Sequence, residues 1–162
     1  MDRIDKINYY LDIAETVTKR STCIRRNFGA IIVKNDEIIS TGYNGAPRGR
    51  KNCCDLKSCL REELQVPRGE RYELCRSVHA EQNAILNARG KSLEGCSIYV
   101  NLFPCHDCAR NIIQSGIKKV YYIDDKYAET DSTKASKYMF EKAKVQCIKL
   151  EPKIDKIEIK FK

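Results

Sequence analysis

The stretch "CSIYVNLFPCHDCARNIIQSGIKKVYYID", Cys96 to Asp124, decides the fold. "CSIYVNL" reads as a short, buried strand. "PCHDCARNIIQSG" reads as a helix, opened by Pro104, whose missing N–H costs nothing at a helix start, and closed by Gly116. "IKKVYYID" is a second strand. A strand, a helix and a strand in about 30 residues form the unit from which helix-covered parallel sheets are built.

The pattern continues on both sides. Downstream, Asp131 to Lys144 reads as a helix and "VQCIKL" as a strand. Upstream, a helix runs from about His79 to Ala88, with Gly90 placed to cap it. "GAIIVKNDEIISTGYN" holds two apolar runs around Asn35-Asp36, which is the pattern of a β-hairpin. Ile4, Ile7, Leu11, Ala14 and Val17 recur at helical spacing, so the first ~18 residues form an amphipathic helix. The predicted fold is a single domain over residues 1–162, a three-layer α/β/α sandwich on a mainly parallel, five-stranded mixed sheet. Residues 45–76 show no sustained period and form a Cys-rich insertion, and loops of that length are usually functional or separately stapled. The tail "KIDKIEIKFK" alternates apolar and charged residues, as an edge strand or a frayed end would.

Composition narrows the function classes. The chain has 162 residues, 42% of them hydrophobic, which suits one folded domain with a proper core. No apolar run approaches the ~20 residues of a membrane span. "MDRIDKINYYLDIAE" is charged and amphipathic, unlike a signal peptide, so a cytoplasmic protein without a membrane partner is expected. In a reducing compartment, nine cysteines point to metal more than to disulfides. The formal charge of +8 favours anionic partners, whether nucleic acid or a small phosphate ester.

The helix after Ser77 opens with three polar groups, in "SVHAEQNAI", before it turns apolar. Two strand–helix units thus present metal ligands at helix starts: His79 with Glu81, then Cys105 with Cys108. One imidazole and two thiolates leave a tetrahedral Zn²⁺ one open position, the mark of a catalytic site. Free N–H groups and the dipole at a helix start favour thiolates. Glu81 lies beside the ligand without being one. A zinc-bound water has a pKa of ~7, and a neighbouring carboxylate can move its proton. His106, between the cysteines, is expected to face solvent.

With "CIRRNFGAIIV", "TGYNGAPRG", "HAEQNAI" and "PCHDCARNIIQSGI" read together, the chain resembles the cytidine/deoxycytidylate deaminase superfamily, and more narrowly its dCMP deaminases. The resemblance implies a cytidine deaminase-like fold and zinc-dependent hydrolytic deamination of dCMP to dUMP and ammonia, supplying dUMP for thymidylate synthesis. It also implies a homo-oligomer, a hexamer, activated by dCTP and inhibited by dTTP, with Mg²⁺ at the effector site. In that scheme Glu81 takes the water proton, protonates N3 and helps ammonia leave. The Ala80 carbonyl would accept from the exocyclic amine, and the Asn44 amide would bond the sugar or base. Arg26 is a candidate for the substrate phosphate, and Arg48 and Arg50 for effector phosphates, since a fork of donors suits them.

Cys53, Cys54, Cys59 and Cys75 crowd the insertion. A loop poor in apolar residues cannot hold its shape by core packing, and a second, structural zinc on four thiolates would hold it. Cys23, Cys96 and Cys147 read as small core residues. Two other activities fit the same site, deamination of dCTP and of a polynucleotide or tRNA base. The latter needs a groove with stacking aromatics, and the chain has no Trp. A zinc-stapled nucleic-acid-binding module is the non-enzymatic alternative.

Overall fold

The computed structural model describes residues 3–153, 158 and 160–162. Helix α1 (Lys6–Thr18) is capped by Asp5, whose carboxylate accepts from the Asn8 N–H at 3.0 Å. Strands β1 (Gly29–Lys34) and β2 (Glu37–Tyr43) form the expected hairpin. Asn35 and Asp36 have φ of 52° and 64°, the left-handed pair that a two-residue type I′ turn requires. Asp36 also ties the turn to α1, through Lys6 at 2.7 Å and the hydroxyl of Tyr10.

The insertion contains two one-turn helices, α2 (Cys53–Leu56) and α3 (Leu60–Glu63), and a 3₁₀ turn at Tyr72–Leu74. Then follow α4 (Ala80–Asn87), β3 (Ser97–Leu102), α5 (His106–Gln114), β4 (Lys119–Asp124), α6 (Asp131–Lys142) and β5 (Gln146–Lys149). Helix α6 stops short of the predicted Lys144, which takes a left-handed φ of 57° and turns the chain into β5. In the tail, residues 154–157 and 159 lie outside the described residues, and with them the expected edge strand.

The five strands lie in the order β2-β1-β3-β4-β5. β3, β4 and β5 run parallel, whereas β1 is antiparallel to both β2 and β3. The sheet is mixed, as expected: β1 alone runs against the other four strands. β1 slots between β2 and β3. Those two strands still run in the same sense, and α4 bridges them over β1.

Alternation along the strands builds two cores. Ile31, Val33, Tyr99 and Tyr121 face α1, where they meet Tyr10 and Ala14. Ile32, Ile98, Val100 and Val120 face the other way, against Ala84 of α4, Ala109 and Ile112 of α5, and Phe140 of α6. The three layers follow from this division.

Helix α4 is pressed onto β2. A Cβ on Gly42 would lie 2.3 Å from both the Ala80 carbonyl oxygen and the Ala84 nitrogen, so only glycine permits this approach. Polar side chains fasten the contact. Ser40 Oγ donates to the Ala84 carbonyl at 2.6 Å, and the Asn83 and Asn87 amides donate to Tyr43 and Thr41 carbonyls at 2.8 Å.

Arg61 organises the insertion. It is buried, donates to the carbonyls of Glu70 (2.7 Å) and Pro67 (3.2 Å), and its guanidinium lies 4.2 Å from the Tyr72 ring centroid. One side chain thus closes the loop from Leu60 to Tyr72.

Gly42→Ala should force α4 off the sheet. Overpacking of this kind costs about 1–3 kcal/mol, and a lowered urea midpoint with an unchanged m-value is the expected result.

Candidate metal centre

The two ligand-bearing turns are held by different devices. Val78 forms an isolated antiparallel bridge with Gly45, just past β2, with N–H···O distances of 2.8 and 3.2 Å. The next residue, His79, is the N-cap of α4. Its backbone N–H donates to Gln82 Oε1 at 3.1 Å, the returning half of a capping box. This explains the glutamine in "HAEQ": it fixes the turn that presents the histidine. On the other side, Phe103 extends the sheet by donating to the Asp124 carbonyl at 2.8 Å. Pro104 follows, then Cys105 as N-cap of α5, with Cys108 in its first turn.

These turns bring three donors together. His79 Nδ1 lies 3.5 Å from Cys105 Sγ and 3.3 Å from Cys108 Sγ. Among the described residues, His79, Cys105 and Cys108 form the one group of three His, Cys, Asp or Glu donors within 4.8 Å of one another. A tetrahedral zinc with Zn–S of about 2.3 Å and Zn–N of about 2.0–2.1 Å requires N···S separations of about 3.6 Å. The donor set therefore fits zinc in both chemistry and spacing. Three donors leave the fourth corner open.

The electrostatics suit a cation. Cys105 is drawn down to about 4, first by a hydrogen bond from the Cys108 thiol and then by one from His79. His79 is pushed up to about 9 by its bond to Cys105, with the Glu81 carboxylate adding to the rise. Cys108 goes the other way, well above its ordinary value, because its proton is held in the bond to Cys105 and the group is buried. Burial also raises Glu81, against the pull of His79. The Glu81 carboxyl touches the site through Cys108 and is not one of the three clustered donors.

The other predicted residues divide. Asn44 is buried at the end of β2, and most of its amide is in use. Oδ1 accepts from Ser21 Oγ at 2.6 Å and Phe28 N–H at 2.8 Å, while Nδ2 donates to the Arg26 carbonyl at 2.9 Å. Asn44 thereby shapes the segment that carries Arg26, with one N–H to spare. The Ala80 carbonyl opens α4 directly after His79, where a Cβ on Gly42 would lie 2.3 Å from it. Arg26 lies over Tyr127, 5.0 Å from the ring centroid. Arg68 and Lys126 flank the same ring at 5.6 and 5.5 Å. Tyr127 carried no signal in the sequence apart from its place after a parallel strand, at the edge where ligands of α/β sheets bind. Arg48 and Arg50 are exposed near the start of the insertion.

The four loop cysteines are not gathered to within 4.8 Å. Cys54 is exposed, with its sulfur 3.8 Å from Asp55 Oδ1, because Asn52 and Asp55 cap α2 and turn that residue outward. Cys53 is buried, and its thiol is raised by burial while Arg76 bonds it. Cys23 and Cys59 lie within electrostatic reach of it. Cys96 is a core residue as expected, whereas Cys23 and Cys147 are only partly buried.

Comparison with known proteins agrees with the geometry. Residues 4–124 match the family described as the cytidine and deoxycytidylate deaminase zinc-binding region. The chain is 38% identical to the deoxycytidylate deaminase of Pongo abelii, over 99% of this chain and 88% of that one. It is 39% identical to the deoxycytidylate deaminase of Enterobacteria phage T4, over 74% of this chain and 78% of that one. The dCMP deaminase of cyanophage S-TIM5, solved in complex with dCMP and dUMP, superposes with a TM-score of 0.70 at 29% identity, covering 91% of this chain and 100% of that one. A nitrogen and two sulfurs at zinc spacing, a carboxyl beside them, and likeness over nearly the whole length have one explanation: the chain is a deaminase and belongs to the cytidine and deoxycytidylate deaminase family.

Proposed function

We propose that the protein hydrolyses dCMP to dUMP and ammonia. The observation that carries the reading is the three-donor group with an open fourth corner and Glu81 against it. The identity to deoxycytidylate deaminases, and the likeness to one solved with dCMP and dUMP, support this substrate over dCTP or a polynucleotide base.

His79, Cys105 and Cys108 would hold the zinc, which when bound supplies Lewis acidity that brings the attacking water into the neutral pH range. Glu81 takes a proton from that water and passes it to N3 of the pyrimidine. Once the oxygen has bonded C4, the same carboxylate takes the proton of the new C4 hydroxyl and hands it to the exocyclic amine; the C4–N bond breaks, ammonia leaves and the oxygen becomes the product carbonyl. Desolvation keeps Glu81 basic enough for both transfers, because its raised affinity for a proton matches the need to hold one between steps. In this reading the spare N–H of Asn44 bonds the sugar or base. Arg26, braced on Tyr127, is the candidate for the 5′-phosphate, with Arg48 and Arg50 left for an effector. Regulation by dCTP and dTTP with Mg²⁺, a hexameric assembly and a cytoplasmic location complete the reading. Among the described residues no helix is long and apolar enough to cross a membrane.

Glu81→Gln should retain its zinc and lose about 10²–10⁴-fold in turnover, as expected when proton transfer is removed. Near-normal deamination of dCMP by that variant, followed by ultraviolet absorbance, would refute the assignment.

If the phosphate anchors the substrate, deoxycytidine should react far more slowly than dCMP, because binding energy remote from C4 is used at the reacting centre. Arg26→Ala should narrow that difference. Equal rates on nucleoside and nucleotide in the wild type would return the arginines to surface charges and make the protein a nucleoside deaminase.

The insertion enters the same reading with a second, structural zinc on Cys53, Cys54, Cys59 and Cys75. The density of thiols and the approach of Cys59 to Cys53 support it, and Cys54 must turn inward to join. Elemental analysis should find about two zinc ions per chain in the wild type, falling towards one in Cys59→Ser. A wild type with one zinc and four titratable loop thiols would leave the loop to its arginine contacts, those of Arg61 and Arg76.

A further inference from the structure

His106 does not point freely to solvent. Its backbone N–H donates to Ser132 Oγ at 3.1 Å, and its Nδ1 pairs with the same oxygen at 2.8 Å. A hydroxyl has one proton and two lone pairs. It can therefore accept the His106 N–H and still pair with Nδ1, while Nε2 lies 3.5 Å from Asp107 Oδ1. A single hydroxyl on α6 therefore grips the first residue of α5 at two points.

The grip falls where the chain has few other ties. Pro104 has no N–H to give. Cys105 is an N-cap with φ −69° and ψ 170°, tied to the helix only through its carbonyl, which accepts the Ala109 N–H at 2.8 Å. The His106 N–H is one of the four donors that a helix start leaves without an intrahelical partner. Ser132 itself is well anchored. Thr130 caps α6 by accepting the Thr133 N–H at 3.3 Å, and Ser136 Oγ, fully buried, donates to the Ser132 carbonyl at 3.0 Å.

We propose that Ser132 is a positioning residue for the metal centre: through His106 it holds the Cys105–Cys108 turn against His79. It touches neither the ion nor the substrate. The inference rests on the reading of His79, Cys105 and Cys108 as the zinc ligands. Its predicted signature is metal retention, since partners that orient ligands commonly change metal affinity by about 10–100-fold.

The experiment follows zinc release from the purified holoprotein into an excess of a chromogenic chelator. Ser132→Ala should release its catalytic zinc about tenfold faster or more, while Ser132→Thr, which keeps the hydroxyl, should stay near the wild-type rate. His106→Ala, which removes only the Nδ1 arm, should fall between. Met139→Ala, which removes core packing seven residues beyond Ser132, is the control for general loosening of α6: it should lower the melting temperature without speeding release. Release from Ser132→Ala at the wild-type rate would overturn the proposal. So would equal acceleration in Met139→Ala at a comparable loss of melting temperature. A wild type that binds no zinc at His79, Cys105 and Cys108 would overturn the ligand reading itself, and the two failures are distinguishable.

Discussion

Helices α4 and α5 begin side by side, and the chemistry depends on that meeting of two helix starts. β2 and β3 run in the same sense, so both end at one edge of the sheet, and each hands the chain towards a helix whose N-cap is a donor residue. Cys105, Cys108 and Glu81 are all in N-caps or first turns, where backbone N–H groups and the helix dipole favour negative charge. Partly burying two sulfurs, an imidazole and a carboxyl would otherwise carry a large desolvation cost. The contact between His79 Nδ1 and Cys105 Sγ offsets part of it, and a divalent ion suits the same set of donors. The distance between the two helix starts is set elsewhere. Gly42 lets α4 settle onto β2, and the Phe103–Asp124 bond fixes where β3 releases the chain into α5.

Much of this was legible in the sequence because the relevant signals are local. A Pro before the first cysteine, a Gly after the helix and a spacing of three between thiolates place α5 and its donors without knowledge of the fold. The hairpin is equally local: Asn-Asp is compatible with two left-handed residues, and the flanking runs are rich in β-branched residues. The strand order was not local. Where β1 sits depends on the long connection through the insertion and α4, and periodicity carries no information about which edge a hairpin will join.

Sequence reading left incomplete the residues whose hydrogen-bond partners only the fold identifies. His106 was expected in solvent, but its partner is Ser132, 26 residues on. Gln82 looked like one more polar group in a functional turn, and it is half of a capping box. Asn44 was expected to bind a ligand, yet most of its amide is spent on Ser21, Arg26 and Phe28. The insertion was read through its cysteines, which are conspicuous. Arg61 was not singled out, because a buried arginine cannot be told from a surface one until the carbonyls around it are known.

The insertion and the metal centre are joined by a short physical path. Arg76 donates to the Ser58 carbonyl at 3.2 Å, bonds the Cys53 thiol and reaches Glu63 at 3.8 Å. Two residues later Val78 bridges to Gly45, and the next residue is His79. At the other end of the insertion, the Cys54 N–H donates to the Thr22 carbonyl, and the Thr22 N–H donates to the carbonyl of Asn44. The loop is thus fastened at both ends, to Thr22 and through it to Asn44 at one side, and through Arg76 to the segment that runs into His79 at the other. The packing of the insertion and the position of the metal-binding histidine therefore rest on one continuous set of backbone and arginine bonds.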